Sequence, residues 1–165
     1  MSIMHELFTY DPDTGIIAWK VNRSHAVAGD EAGFLHRRWG YRVVSFTADG
    51  KTHKVNGHRV AWCLHYGALP GEGVQVDHIN GVRADNRICN LRLATPQQNR
   101  MNERQRGKNP KGVSLFKCRG FTYWRARIKK DGKEIHLGYF KDQSDAKAAY
   151  DAAAAKMFGE FARTA

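Results

Sequence analysis

The stretch that most constrains this chain is a polar segment at residues 76–102, which reads VDHINGVRADNRICNLRLATPQQNRMN. An adjacent pair, Asp77 and His78, stands near its start. Asn90 follows twelve residues after the histidine, and Asn99 follows nine residues later. If the intervening segments fold back on one another, a carboxylate, an imidazole and amide groups converge in one polar site.

Turn and helix signals assign these side chains to elements. Asn80-Gly81 is a turn signal. Thr95 is a good N-cap, Pro96 is favoured at the first helical position, and Gln98 completes a capping box. The segment therefore predicts a strand ending at 77–78, an irregular loop, a short strand around 91–94, and a helix from 96 to about 103.

The residue types suit hydrolysis of a phosphodiester. A neutral histidine can take a proton from water, a role worth roughly 10²–10⁴ in rate. Oxygen ligands from Asp77 and Asn99 suit a hard divalent cation such as Mg²⁺ or Mn²⁺. Adjacent residues of a regular strand face opposite ways, so the Asp77–His78 pair implies a strand end or a distortion. A surface turn with a hydrogen-bonded Asp-His pair is the simpler alternative.

The segment resembles the phage homing-endonuclease branch of the HNH nucleases, which have a ββα-metal core. The pieces D-H-I-N-G, D-N-R, N-L-R and T-x-x-Q-N are present at 77–81, 85–87, 90–92 and 95–99. The resemblance implies that His78 is the general base and that Asp77 and Asn99 hold the metal. It also implies that Asn90 orients the catalytic loop. Asn99 stands where the family name has a second histidine, a departure usual for this branch.

Charge points to a polyanionic partner, most simply nucleic acid. The formal net charge is +11 and the pI is about 9.8. Residues 1–100 have 12 Lys/Arg against 9 Asp/Glu, whereas residues 101–165 have 15 against 7. The C-terminal part is therefore expected to be the stronger electrostatic anchor.

Cysteine usage and hydropathy exclude other classes. Cys63, Cys89 and Cys118 are far apart and odd in number, which fits neither a disulfide framework nor a four-cysteine zinc site. No apolar run approaches the ~18 residues of a membrane span, and the N-terminus has no secretory pattern. A soluble protein of the cytoplasm is expected, in the host cell if the chain is phage-encoded.

Residues 1–100 are predicted to form the HNH nuclease domain, with its core at about 57–103. A β-rich lead-in precedes it, with strands at 16–20, 40–46 and 52–55, and a helix is predicted at 57–67. Arg37, Arg38, Trp39 and Arg42 form a basic and aromatic cluster. Phosphate contact and a merely solvated loop remain equally open for this cluster.

Residues 101–111 are predicted to be a basic linker that contains Arg104 and Arg106 and either follows a phosphate backbone or stays solvated. A second unit at 112–165 is predicted to have strands at 113–118, 123–129 and 134–140 and a helix at 143–158 capped by Asp142. In the middle strand Arg125, Arg127 and Lys129 alternate with apolar residues. One sheet face is therefore expected to meet the helix, while the other is cationic and either contacts DNA or stays solvated.

The second unit resembles the plant apetala-type (ethylene-response-factor) DNA-binding domain. The landmarks are Lys111-Gly-Val-Ser114, Trp124, Leu137-Gly-Tyr-Phe140 and the segment 146–151. In that family the sheet enters the major groove, which implies that Arg125, Arg127, Lys129 and His136 contact DNA. The first strand departs from the family pattern of Arg and Trp, so base preference does not carry over.

The sequence thus predicts an α+β protein with a ββα-metal HNH domain followed by a three-stranded antiparallel sheet and a helix. Its predicted function is a metal-dependent endonuclease that nicks double-stranded DNA at a preferred site, as a monomer or a weak dimer on DNA, without membrane association. Two alternatives remain open. One is a DNA-binding regulator that keeps the HNH core as a scaffold, and the other is a nuclease directed at RNA.

Overall fold

The computed structural model describes residues 3–103 and 107–163. The chain divides into two compact units, Met1–Pro96 and Gln97–Ala165. Both units combine short helices with small antiparallel sheets, in agreement with the expected α+β class.

The first unit is built from short elements that surround one helix. In chain order they are α1 (Ile3–Leu7), β1 (Phe8–Tyr10), β2 (Ile17–Trp19), β3 (Phe34–Leu35), β4 (Arg42–Ala48), β5 (Lys51–Asn56), α2 (Gly57–Tyr66), β6 (Gln75–His78), a 3-10 turn (Ile88–Asn90) and β7 (Leu91–Ala94). The antiparallel sheets are β1-β2, β3-β4-β5 and β6-β7. Helix α3 (Pro96–Asn102) begins at the last residue of this unit.

Helix α2 forms the centre of the first core. Val60, Ala61 and Cys63 are buried on it, against apolar residues of the surrounding strands. The helix ends where Gly67 adopts a left-handed conformation (φ 84°) and its N–H donates to the Cys63 carbonyl at 2.9 Å. Glycine takes this conformation without the steric cost that a Cβ adds, which explains the stop.

The β4–β5 hairpin follows directly from its turn residues. Asp49 and Gly50 both have positive φ, 49° and 69°. This is the requirement of a type I′ turn, whose twist matches the flanking strands. Asp131 and Gly132, with φ of 50° and 79°, repeat the arrangement in the second unit.

The second unit contains most of α3 and a three-stranded sheet covered by a helix. Its further elements are β8 (Val113–Cys118), β9 (Phe121–Lys130), β10 (Lys133–Phe140), α4 (Gln143–Phe158) and a 3-10 turn (Gly159–Phe161). The sheet order is β10-β9-β8, with all pairs antiparallel. The core joins both layers through Val113, Ala126, Ile128, Ala146, Tyr150 and Ala154.

Small residues let α4 approach the sheet closely. A Cβ at Gly112 would lie 2.2 Å from the Tyr150 ring and 2.4 Å from the Arg127 carbonyl oxygen. Because backbone and ring both block the space, only glycine fits there. Asp142 is the N-cap residue of α4, as predicted, but its carboxylate makes no cap hydrogen bond. Its backbone carbonyl instead accepts the Ala146 N–H at 3.3 Å.

The candidate active site

Strand β6 ends at the Asp77–His78 pair, and both side chains are buried. Its register with β7 sets Asp77 opposite Arg92 and His78 opposite Leu91. Arg92 Nε donates to Asp77 Oδ2 at 3.0 Å, and this ion pair is nearly excluded from solvent. The pair thus stands at a strand end, one of the two arrangements that the sequence predicted.

Asn86 holds the imidazole of His78. Asn86 Oδ1 lies 3.2 Å from His78 Nε2, and Asn86 is only 2% exposed. The Tyr10 hydroxyl donates to the Asn86 carbonyl at 2.7 Å, which fixes the backbone of this residue. Asn86 belongs to the D-N-R piece of the sequence pattern, but the pattern assigned it no role, since spacing alone does not reveal its partner.

A second histidine packs against the first. The His58 ring, at the start of α2, lies edge-on to the His78 ring with centroids 4.9 Å apart. Tyr41 contacts both, with centroid distances of 5.2 Å to His58 and 6.0 Å to His78. Burial is the main cause that lowers the pKa of His58 to about 3, and burial also lowers the pKa of His78. Both rings are therefore neutral near pH 7.

The close packing around Asn86 requires glycine at position 57. A Cβ there would lie 2.8 Å from Asn86 Nδ2 and 3.3 Å from the Arg42 carbonyl oxygen. Gly57 thus lets α2 begin directly against Asn86, which places His58 beside His78. His58 is buried, whereas His65 on the same helix is exposed.

Asn90 braces the loop that follows His78. Its Oδ1 accepts the Asn80 N–H at 2.9 Å, and its Nδ2 donates to the Asp85 carbonyl at 2.8 Å. Asn80 Nδ2 also donates to Asp85 Oδ2 at 2.8 Å. Arg87 donates hydrogen bonds to the same carboxylate through Nε and Nη2. These hydrogen bonds are the main cause that lowers the pKa of Asp85 to about 2. Together, the hydrogen bonds of Asn80 and Asn90 connect the start of the loop after His78 with its later residues Asp85 and Asn90.

Comparison with known proteins assigns one segment of the chain to a known family of domains. A family profile described as HNH endonuclease matches residues 56–101, which include β6, the braced loop, β7 and most of α3. An uncharacterized HNH endonuclease of Acanthamoeba polyphaga mimivirus is 34% identical over 110 residues, 66% of this chain and 56% of the relative. Protein 3.8 of Escherichia phage T7 is 31% identical over 109 residues, 64% of this chain and 87% of that protein. Residues 56–101 of the chain therefore contain an HNH endonuclease domain.

The matches differ in extent. The chain spans about half the length of the mimivirus relative but most of the phage protein. A solved structure of DNA binding and cleavage by the HNH homing endonuclease I-HmuI is 23% identical, with a TM-score of 0.44 over 58% of this chain and 51% of that one. The apetala-type resemblance of the second unit gains no support from these comparisons. None of the helices in the described part of the chain has the length and apolar character that a membrane crossing needs.

The sequence predicted that oxygens of Asp77 and Asn99 hold a metal ion. Asp77 belongs to the first unit, and Asn99 is the fourth residue of α3 in the second. Carboxylate and amide oxygens suit a hard divalent ion, and one Asp77 oxygen is already shared with Arg92. Among residues 3–103 and 107–163, no three His, Cys, Asp or Glu side chains are grouped so that they could hold a metal.

Helix α3 is anchored within the second unit. The Lys111 ammonium donates to the carbonyls of Arg100, Met101 and Glu103 at 3.2, 2.6 and 3.2 Å. A cation at a helix C-terminus satisfies the last carbonyls and complements the helix dipole. Gln97 Nε2 also donates to Asp131 Oδ1 at 3.0 Å, at the turn of the β9–β10 hairpin. The helix of the HNH motif is therefore fastened to the C-terminal sheet.

The sheet face of the second unit that was predicted to be cationic also contains an acidic side chain, Glu134. Arg127 Nη1 is paired with Glu134 Oε1 at 2.8 Å, because the β9–β10 pairing brings Glu134 to this face. Arg125 lies over the Phe116 ring, with its Cζ 5.2 Å from the centroid. His136 is exposed and its ring lies 4.6 Å from that of Tyr139.

The remaining predicted DNA contacts are Lys129, Arg104 and Arg106. Lys129 is exposed at the same face, opposite Glu134 in the strand register. Arg104 and Arg106 lie outside the described residues. The apolar face of β9 meets α4 as expected, through Ala126 and Ile128.

Proposed function

We propose that the protein is a metal-dependent DNA endonuclease of the phage homing or free-standing HNH type, which hydrolyses phosphodiester bonds at a preferred site. The observation that carries the proposal is the coincidence of the HNH family match at 56–101 with a buried, neutral and sterically held His78. The name of the mimivirus relative, an HNH endonuclease, agrees with this assignment.

His78 acts as the general base. When Asn86 Oδ1 accepts a hydrogen bond from Nε2–H, the basic lone pair belongs to Nδ1 of the same ring. The base then takes a proton from the attacking water, and the P–O3′ bond breaks to leave a 5′-phosphate and a 3′-hydroxyl. General-base catalysis of this kind contributes roughly 10²–10⁴ in rate.

Asp77 and Asn99 are the residues that would hold a divalent ion, Mg²⁺ or Mn²⁺. When bound, the ion supplies Lewis-acid stabilisation of the phosphoryl oxygens and the leaving oxygen. Arg92 orients the Asp77 carboxylate through their ion pair. Asn90 keeps the loop after His78 in one conformation, which limits the motion of the base relative to the substrate.

The second unit supplies affinity and positioning on double-stranded DNA. The residues assigned to this role are Arg125, Arg127, Lys129, His136, Arg104 and Arg106. Support comes from the charge of the C-terminal part, with 15 Lys/Arg against 7 Asp/Glu in residues 101–165. Phosphate neutralisation by such residues releases counterions, so binding weakens steeply as salt rises. The apetala-type docking of this sheet remains part of the proposal.

One HNH site in each chain favours nicking of one strand. A monomer or a weak dimer on DNA is the assembly proposed, and two chains would be needed to cut both strands. The viral origin of both named relatives supports a host-cell cytoplasmic location.

Relaxation of supercoiled plasmid DNA tests the proposal. Wild-type protein with Mg²⁺ is expected to convert supercoiled plasmid to the nicked circle, and EDTA is expected to stop the conversion. Linear product from a protein that stays monomeric on DNA would contradict single-strand nicking. Tight DNA binding without cleavage at any divalent ion, on DNA from the native genome, would favour the DNA-binding regulator instead.

A further inference from the structure

The turn between β3 and β4 presents an exposed basic and aromatic surface next to the HNH site. It consists of Arg37, Arg38 and Trp39, and we call it the Trp39 surface. All three side chains are exposed, and Trp39 is 55% accessible to solvent. The segment 34–42, FLHRRWGYR, contains no acidic residue. Cations beside an exposed indole suit a polyanion that also offers flat rings, which is nucleic acid.

The turn is held together by internal contacts, although it is exposed. The Trp39 and His36 rings stack with centroids 4.2 Å apart and planes 10° from parallel. The His36 N–H donates to the Tyr41 carbonyl, and the Gly40 N–H donates to the His36 carbonyl, both at 2.8 Å. Gly40 has φ 70°, which closes the turn without steric cost. A surface that is already ordered loses less entropy on binding than a mobile loop.

Arg42 is not part of the Trp39 surface, because its guanidinium group makes contacts elsewhere. It forms an ion pair with Glu31 at 2.7 Å, and its Nη1 donates to the Gly33 carbonyl at 3.2 Å. The basic cluster seen in the sequence therefore contains one structural cation and two that remain exposed on the turn, Arg37 and Arg38.

Arg83 ties the Trp39 surface to the loop that follows His78. Its Nη1 donates to the Trp39 carbonyl at 3.0 Å, and its Cζ lies 4.9 Å from the Tyr41 ring centroid. The Tyr41 ring in turn lies 6.0 Å from that of His78. The Trp39 turn is thus joined to the proposed base through Arg83 and Tyr41.

We propose that the Trp39 surface binds the DNA strand close to the phosphate attacked at His78. Trp39 stacks on a base displaced from the duplex, while Arg37 and Arg38 contact flanking phosphates. Arg83 is a positioning residue that keeps the turn against the catalytic loop. The inference rests on the proposed function, because His78 defines where the substrate lies.

Binding to a mismatched duplex tests the stacking. A base in a mismatch is displaced at lower cost than a paired base, so a stacking residue produces a preference for the mismatch. The measurement is fluorescence anisotropy of the full-length protein with His78→Ala, in EDTA, on a mixed-sequence duplex with or without one mismatch. Adding Trp39→Ala is expected to weaken binding to the mismatched duplex by about 5- to 100-fold and to abolish the preference.

Two further variants separate stacking from structural damage. Trp39→Phe retains an aromatic face and is expected to keep part of the preference. Tyr66→Ala removes another aromatic residue of similar exposure, 57%, and is expected to change neither affinity nor preference. The double variant Arg37→Ala with Arg38→Ala is expected to reduce the slope of log K against log salt by about two.

The outcomes distinguish this inference from the nuclease assignment, because the binding assay needs no cleavage. If Trp39→Ala binds both duplexes as tightly as Tyr66→Ala does, the Trp39 surface is not a DNA contact. Tighter binding of RNA than of DNA of the same sequence would overturn the choice of DNA. A Trp39 effect on binding in a protein whose wild type cleaves no DNA would support the surface and overturn the nuclease function.

Discussion

Asn86 Oδ1 lies 3.2 Å from His78 Nε2, and both residues are almost entirely buried. The contact joins the end of β6 to the segment before the 3-10 turn, so the proposed base is oriented by a residue eight positions along the chain. An amide in this place fixes the orientation of the imidazole without adding charge.

Removing the orienting amide should slow cleavage without weakening DNA binding. We expect Asn86→Ala to lower kcat by about 10- to 100-fold, the usual cost of losing a group that orients an active-site residue, with little change in KM. Asn86→Asp keeps the acceptor oxygen and should retain more activity than Asn86→Ala. Steady-state nicking with DNA affinity measured in parallel checks this. Equal rates for Asn86→Ala and wild type would remove Asn86 from the mechanism.

The Asp77–Arg92 ion pair should matter for stability because it is buried. We expect Arg92→Ala to lower the free energy of unfolding by about 3–5 kcal/mol, since the Asp77 charge loses a buried partner. Arg87→Ala breaks the Arg87–Asp85 pair, whose arginine is half exposed and screened by solvent, and should cost much less. Urea unfolding of both variants makes the comparison. Similar losses in the two would mean that Asp77 is not desolvated as the structure has it.

Burial of His58 should make folding sensitive to acid. Its pKa is lowered from 6.5 to about 3, by burial first and then by the neighbouring charges of His78 and Arg59. Between these values the unfolded chain binds a proton that the folded chain does not, so stability falls as the pH is lowered from 6.5 towards 3. The lowered pKa of His78 acts in the same direction.

Replacing His58 with an apolar ring tests this linkage. His58→Phe is expected to make the dependence shallower, by at most about 1.4 kcal/mol per pH unit for one proton. The measurement is the free energy of unfolding between pH 6.5 and pH 4. A slope identical to wild type would show that His58 takes up its proton in the folded protein.

The second unit should carry the salt dependence of DNA binding. We expect Arg125→Ala to weaken binding and to reduce the slope of log K against log salt by about one. Glu134→Ala releases Arg127 from its ion pair and should strengthen binding at low salt. Salt titrations of full-length protein on duplex DNA check both. If neither Arg125→Ala nor Arg127→Ala alters affinity, this sheet face does not contact DNA.

Helices and strands were predicted well where the sequence pattern that indicates them lies within or directly beside the element. Helix α4 has the predicted bounds because an Ala-rich periodic segment stands between Asp142 and Gly159, although the Asp142 side chain makes no cap. Strand β7 and the start of α3 also agree with the turn and proline signals around them. The short elements α1, β1 and β3 were not predicted, since two to five residues carry too little periodicity.

The contacts between residues of the candidate site could not be predicted from local sequence patterns. The His58–His78 packing joins a helix to a strand twenty residues away, and Arg92 reaches Asp77 only through the β6–β7 register. Glu134 on the sheet face follows from another register and corrects the picture of a purely cationic surface. Motif spacing named the candidate base, whereas its surroundings depend on tertiary packing.

One comparison tests the central claim most directly: metal-dependent nicking by His78→Ala against His65→Ala. Both remove one histidine of the first unit, but His78 is buried in the candidate site and His65 is exposed on α2. We expect His78→Ala to lose about 10²-fold or more in rate while still binding DNA, and His65→Ala to nick as wild type does. Nicking by His78→Ala at the wild-type rate would contradict the assignment of His78 as the base.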